Sequence, residues 1–159
     1  MSILIRALTS EDRSLMYSFL TERWAGPEIL LGGETVDASQ LPGFIGLNKD
    51  EIAGLVTVVK RDGEWEILTL DSVSRWAGTG TELLEALVAD AREAGITRLT
   101  VRLSNDNLDA FRFYQRRGFR FEKIAQGVID EERELKPEIP TRGEYGIPLH
   151  DEILFAREL

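Results

Sequence analysis

The sequence predicts a mixed α/β domain, in which a mostly antiparallel sheet of about six to seven strands is flanked by helices. Three observations predict it. Residues 43–70 hold three β-rich runs separated by short turn segments, residues 83–91 repeat apolar side chains at helical spacing, and residues 97–124 read strand, helix, strand.

Taken in order, Ile3 to Leu8 reads as a first strand, and Thr9-Ser10-Glu11-Asp12 supplies a capping oxygen and early acids for a helix to about Arg23. The Gly- and Pro-containing segment from Trp24 to Pro42 has weak periodicity and reads as a loop with at most one short helix. Gly43 to Leu47, Glu51 to Lys60 and Glu64 to Leu70 are separated by Asn48-Lys49-Asp50 and Arg61-Asp62-Gly63, which predicts an antiparallel meander. Leu83, Leu84, Leu87, Val88 and Ala91 then define a helix that ends at Gly95, a C-cap. Thr97 to Leu103 follows as a strand, Leu108 to Arg117 as a helix stopped by Gly118, and Phe119 to Ile124 as a strand. Pro137, Pro140 and Pro148 predict a largely irregular tail up to a last strand at about Glu152 to Arg157. The helix from Gly78 to Ala94 joins two strands and predicts that they run parallel through a right-handed crossover.

With 159 residues and 43% apolar content, the chain suits one core and is expected to form a single domain over residues 1–159. Its apolar runs are too short to cross a bilayer, and the N-terminus lacks the features of a secretion signal. The absence of cysteine excludes disulfides, thiolate metal sites and a cysteine nucleophile. A cytoplasmic location is the expectation. A net charge of −9 argues against a general role on nucleic acid, which demands a basic surface. The charge is uneven, because residues 98–123 carry seven bases against three acids and residues 128–159 carry nine acids against four bases. A basic patch inside an acidic protein suits a compact polyanionic ligand, although a solvated helix face reads the same way.

The segment from Leu68 to Thr81 runs from a strand through Arg75-Trp76-Ala77-Gly78-Thr79-Gly80 into a helix. A helix N-terminus offers unpaired N–H groups and the positive end of its dipole, and glycine lets an anion approach the main chain. Such a segment can cradle phosphate, or simply make a tight turn. It lacks the Gly-Lys-Ser/Thr of nucleoside-triphosphate loops and the Gly-x-Gly-x-x-Gly of dinucleotide folds.

A second motif follows, Asn105-Asp106-Asn107-Leu108-Asp109-Ala110-Phe111-Arg112-Phe113-Tyr114-Gln115-Arg116-Arg117-Gly118-Phe119. The ordered pair, Arg75-x-x-Gly78-x-Gly80 and then Asn107-x-x-Ala110-x-x-Phe113-Tyr114-x-x-x-Gly118-Phe119, resembles the two acetyl-CoA motifs of the GNAT superfamily of N-acetyltransferases. The tail, from Leu135 to Pro140 and Gly146 to Ile153, is similar to the ending of an uncharacterised bacterial subgroup of that superfamily. The resemblance implies a GNAT fold whose parallel strand pair splays to admit the cofactor. It also implies that main-chain groups of Leu70 and Asp71 hold the pantetheine arm and that Arg75, Trp76, Ala77, Gly78, Thr79, Gly80 and Thr81 hold the pyrophosphate. Asn107 would contact the cofactor arm, and Phe113 and Tyr114 would lie beside its sulfur end. Trp76 and Ala77 depart from the usual glycine and basic residue, so binding would rest on N–H groups more than on charge, with Trp76 against the adenine or simply covering the helix start.

The implied reaction is acetyl transfer from acetyl-CoA to a primary amine by direct attack in a ternary complex. An alkyl amine is only about 0.1% deprotonated at neutral pH, so a proton acceptor is needed. Strict alternation places Glu64, Glu66, Leu68 and Leu70 on one strand face. Glu66, about 13 Å from Leu70, suits the length of a pantetheine arm and is the expected base through water, ahead of Glu64 at about 20 Å. Tyr114 is the expected acid for the departing thiolate, while also fitting an ordinary apolar helix face. His150 reads as a surface or packing residue, and no cluster has metal-ligand spacing, so no metal is expected. The acceptor is expected to be a small-molecule amine. A protein or peptide amine, a non-catalytic acyl-CoA sensor and an unrelated phosphate-binding enzyme are the competing readings. Strand edges leave a homodimer open.

Overall fold

In the computed structural model, which describes residues 2–74 and 78–159, β1 (Leu4–Ala7) leads through a 3-10 turn (Ser10–Asp12) into α1 (Arg13–Trp24). Asp12 organises this entry: its carboxylate accepts from Thr9 N at 2.8 Å and from both terminal nitrogens of Arg6, each at 2.8 Å. Ala25, in the left-handed region at φ 59, ends the helix.

The next segment departs from expectation. Where a loop was predicted between Trp24 and Pro42, β2 (Glu28–Leu31) and β3 (Glu34–Asp37) form a two-stranded antiparallel ribbon, followed by a 3-10 turn at Ala38–Gln40. Gly32 and Gly33 take φ 60 and φ 85, which close the hairpin with a twist that suits paired strands. The meander then appears as predicted, with β4 (Gly43–Asn48), β5 (Glu51–Lys60) and β6 (Glu64–Ser72), followed by α2 (Thr79–Glu93). The C-cap of α2 is Ala94, and Gly95, expected in that place, follows it at φ 78.

The chain divides into two compact units, Met1–Thr97 and Arg98–Leu159. In the first, β1, β4, β5 and β6 lie side by side and every pairing is antiparallel. One core cluster joins Met16, Phe19 and Leu20 of α1 to Ala38, Ile45 and Leu55. The apolar face of α2, namely Leu83, Leu84, Leu87, Val88 and Ala91, is buried as its spacing predicts, at about 2 kcal/mol for each fully buried leucine.

In the second unit, β7 (Arg98–Ser104), α3 (Leu108–Arg116), β8 (Arg120–Ala125), α4 (Val128–Leu135) and β9 (Glu152–Glu158) follow in order. β9 lies in the middle, antiparallel to β7 and to β8. Phe111 of α3 packs on Phe155 and Phe121. α4 corrects the expectation of an irregular tail: the prolines begin only after its last residue, and Ile129 is its buried contact. Among the described residues, seven sheet strands, antiparallel within their units and accompanied by four helices, make the mixed α/β class that the sequence predicts. No described helix is long and apolar enough to cross a membrane.

Candidate functional site

β6 carries the expected base and the expected main-chain contacts, and its geometry is not that of a regular strand. Thr57 of β5 faces Thr69 while Val58 faces Ile67, so Leu68 is an extra residue, a β-bulge. The bulge shifts the alternation by one residue. Glu66 therefore shares its face with Thr69 and Asp71, opposite Val59, Thr57 and Leu55, whereas Leu70 falls on the other face opposite Val56. The common face expected for Glu64, Glu66, Leu68 and Leu70 is corrected accordingly. A 2.6 Å contact between the Thr57 and Thr69 hydroxyls confirms the new phase. Glu66 is buried, with Oε1 accepting from Arg61 Nη1 at 2.8 Å.

At the end of β6 the side chain of Asp71 turns toward α1, where Trp24 Nε1 donates to Oδ2 at 2.8 Å and Arg23 Nε stands 3.9 Å from Oδ1. Burial pushes the Asp71 carboxyl above its usual value, while the Trp24 hydrogen bond and the Arg23 charge pull it down. Sequence reasoning assigned Asp71 only a main-chain role; its partner is 47 residues away, and no local pattern announces it.

The start of α2 is built from main chain. Gly78, at φ 80, is the N-cap and supplies no capping side chain; the helical ladder begins with Glu82 N donating to Gly78 O at 3.0 Å. Among the described residues, a Cβ placed on Gly78 would meet nothing within 4 Å. Thr79 is buried and Gly80 is the second helical residue. Two strand glycines let this end of α2 sit close to the sheet. A Cβ on Gly54 would lie 2.8 Å from Leu83 Cδ1, 3.0 Å from Thr79 Cγ2 and 2.8 Å from Asp71 O, and one on Gly46 would lie 3.3 Å from Thr79 Cγ2. Arg75, Trp76 and Ala77 lie outside the described residues.

In the second unit, β7 is followed by Asn105-Asp106-Asn107, and these three side chains do different things. Asn105 Oδ1 accepts from His150 N and Asp151 N, each at 3.0 Å, and its Nδ2 donates to Pro148 O at 2.9 Å. Asp106 is buried and accepts from Ser104 Oγ at 2.5 Å and Glu144 N at 2.8 Å. Asn107 is the N-cap of α3, its Oδ1 accepting from Ala110 N at 3.3 Å. That leaves Nδ2 as the group with which Asn107 would donate to a ligand. Further along α3, Tyr114 is buried, its ring edge-on to Phe113 and Phe119, and the Arg117 guanidinium lies 3.9 Å above the Phe113 ring. His150 is at the surface, with Nδ1 at 2.9 Å from Asp130 Oδ1, as its expected surface role allows.

The family model described as "Acetyltransferase (GNAT) family" matches residues 8–119. Two Bacillus subtilis (strain 168) proteins, the uncharacterized proteins YxbD and YdhI, are each 34% identical to the chain, the first over 92% of this chain and 93% of its own length, the second over 91% of each. Among solved structures, the IAA acetyltransferase from Bacillus cereus ATCC 14579 superposes with a TM-score of 0.76 at 22% identity, covering 99% of this chain and 100% of that one. A GNAT family acetyltransferase from Elizabethkingia anophelis, with acetyl-CoA bound, gives 0.70 at 20% identity over 99% and 98%. These structures share the fold.

Proposed function

The chain belongs to the GNAT acetyltransferase family, and from that premise we propose that it transfers the acetyl group of acetyl-CoA to a small primary amine by direct attack within a ternary complex. The observation that carries the proposal is the start of α2, a glycine-capped helix end without a capping side chain, where among the described residues a Cβ on Gly78 would meet nothing within 4 Å. Such an end offers oriented N–H groups and a favourable dipole to a pyrophosphate. Thr79, Gly80 and Thr81 supply these groups, together with Arg75, Trp76 and Ala77, which precede them in sequence, while main-chain groups of Leu70 and Asp71 hold the pantetheine arm. Asn107, Phe113 and Tyr114 of the second unit serve the same donor. The family match crosses from one unit into the other, which supports treating both as one catalytic domain.

In the proposed reaction, Glu66 takes the amine proton through water and the freed nitrogen attacks the thioester carbonyl. The tetrahedral intermediate then collapses, the nitrogen gives up its second proton to solvent, the carbon–sulfur bond breaks, and the Tyr114 hydroxyl protonates the departing thiolate and is reprotonated from solvent. A net charge of −9 favours the approach of a cationic amine, and a cytoplasmic location belongs to the same proposal. The proposal is tested by thermal protection: acetyl-CoA should raise the melting temperature where ATP and NAD do not, and replacement of Gly78 by valine should abolish that protection in a folded protein. Equal protection by all three ligands, or a Gly78→Val protein protected like wild type, would remove the loop from the donor site.

A further inference from the structure

α1 ends abruptly, and what its last residues reach for is the end of β6. Arg23 Nη2 donates to Ser72 O at 2.8 Å, its Nε stands 3.9 Å from Asp71 Oδ1, and its guanidinium lies 5.1 Å from the centre of the Phe19 ring. Trp24 Nε1 donates to Asp71 Oδ2 at 2.8 Å. The next residue, Ala25, stands at φ 59, a left-handed conformation that a residue with a Cβ rarely adopts. The chain thus accepts backbone strain beside the two side chains that grip β6, which is where strain is expected when a geometry has to be held. On the other side of the same residue, the main-chain oxygen of Asp71 is approached so closely by β5 that only a glycine fits at position 54.

We propose that the Asp71 carboxylate is a positioning group: with Trp24 and Arg23 it locks the main chain of residues 70–72 in the conformation that receives the pantetheine arm. This deepens the donor-site reading and rests on it. Indole offers a single donor and no acceptor, so Trp24 fixes one carboxylate oxygen, and the guanidinium spans the other oxygen and the following carbonyl. Held in this way, the strand end need not be ordered when the donor arrives, and affinity gains by that amount. The pKa balance is consistent with the role, because the two partners oppose the burial that would otherwise favour a protonated Asp71.

The test is calorimetric titration of acetyl-CoA into wild type, Trp24→Phe, Asp71→Ala and Asp71→Asn, with thermal unfolding of each. Trp24→Phe keeps an aromatic ring but removes the N–H donor together with the five-membered ring that carries it, so the folded variant should bind acetyl-CoA about threefold to tenfold more weakly, the effect of one hydrogen bond. Asp71→Ala should do at least as much. Asp71→Asn retains an oxygen for Trp24 and should recover part of the loss, a rescue that a packing role alone does not produce. Should Asp71→Ala fail to fold, Trp24→Phe decides. Wild-type affinity in folded Trp24→Phe overturns the inference and leaves the donor site standing, whereas a wild-type protein that does not bind acetyl-CoA overturns the donor reading and this inference with it.

Discussion

The starts of α2 and α3 each follow a sheet strand, and they are finished in opposite ways. α2 opens on Gly78 with no capping side chain, and its seat on the sheet is made by what is missing, the side chains at Gly46 and Gly54. α3 opens on Asn107, which caps it, behind Asn105 and Asp106, which bind the tail through His150, Asp151, Pro148 and Glu144. One helix start has no capping side chain, and the other is capped by its own chain. The difference teaches that two motifs of the same family resemblance carry different burdens: the described part of the first starts a helix with main chain alone, while most of the second is spent on holding residues 141–151 in place.

The comparison is broken most severely by filling the α2 seat. Gly54→Val would place new atoms against Leu83, Thr79 and the Asp71 carbonyl, and should destabilise the protein by about 3 kcal/mol, read from denaturant unfolding. If Gly54→Val unfolds at wild-type denaturant concentrations, the close seat of α2 is not what the glycine provides. In the second region, Asp106→Ala leaves the Glu144 N–H and the Ser104 hydroxyl without their acceptor and should cost about 2 kcal/mol. Proteolysis should then cut first within residues 141–148, and a cleavage pattern identical to wild type would contradict the pinning role.

The smallest effects are electrostatic and have opposite signs in the two units. Arg6 holds Asp12 down to about 2, so Asp12 contributes stability above the ordinary aspartate range and loses it as the pH falls toward 2. Burial, then the neighbouring Glu152, pushes Glu132 up to about 7 against the pull of Arg102. The folded state therefore prefers protonated Glu132, and its contribution is lost as the pH rises from the ordinary glutamate range through about 7. Melting curves across pH should show Asp12→Asn flattening the acid limb and Glu132→Gln flattening the fall toward neutrality. A Glu132→Gln profile that parallels wild type between pH 5 and 8 would show that the carboxyl is not held protonated.

Much of this architecture is written locally. The meander is legible because its turns recur at short intervals, and α2 because five apolar residues repeat on one face and Gly95 ends it. The ribbon at 28–37 is less so: its strands have four residues each, with Glu, Thr and Asp in half of the positions, although Gly32-Gly33 is itself a hairpin signal. α4 is hidden because the prolines behind it dominate the composition of the tail. The bulge at Leu68 is invisible to strict alternation, and that one extra residue decides which carboxylates share a face. In the candidate site, the glycines and Asn107 declare themselves by spacing, whereas the Trp24 contact to Asp71 and the Asn105 contacts to His150 and Asp151 join residues far apart in sequence and exist only in the fold.

The central claim is acetyl transfer to an amine, and the most direct measurement is the release of free CoA thiol from acetyl-CoA by wild-type protein in the presence of polyamines, amino acids, aminoglycosides and peptide N-termini, with the products identified by mass spectrometry. Thiol release should depend on a small primary amine and match the acetylated amine in amount. Tight binding of acetyl-CoA without thiol release for any member of the panel would contradict the claim and leave a protein that senses the acyl donor rather than using it.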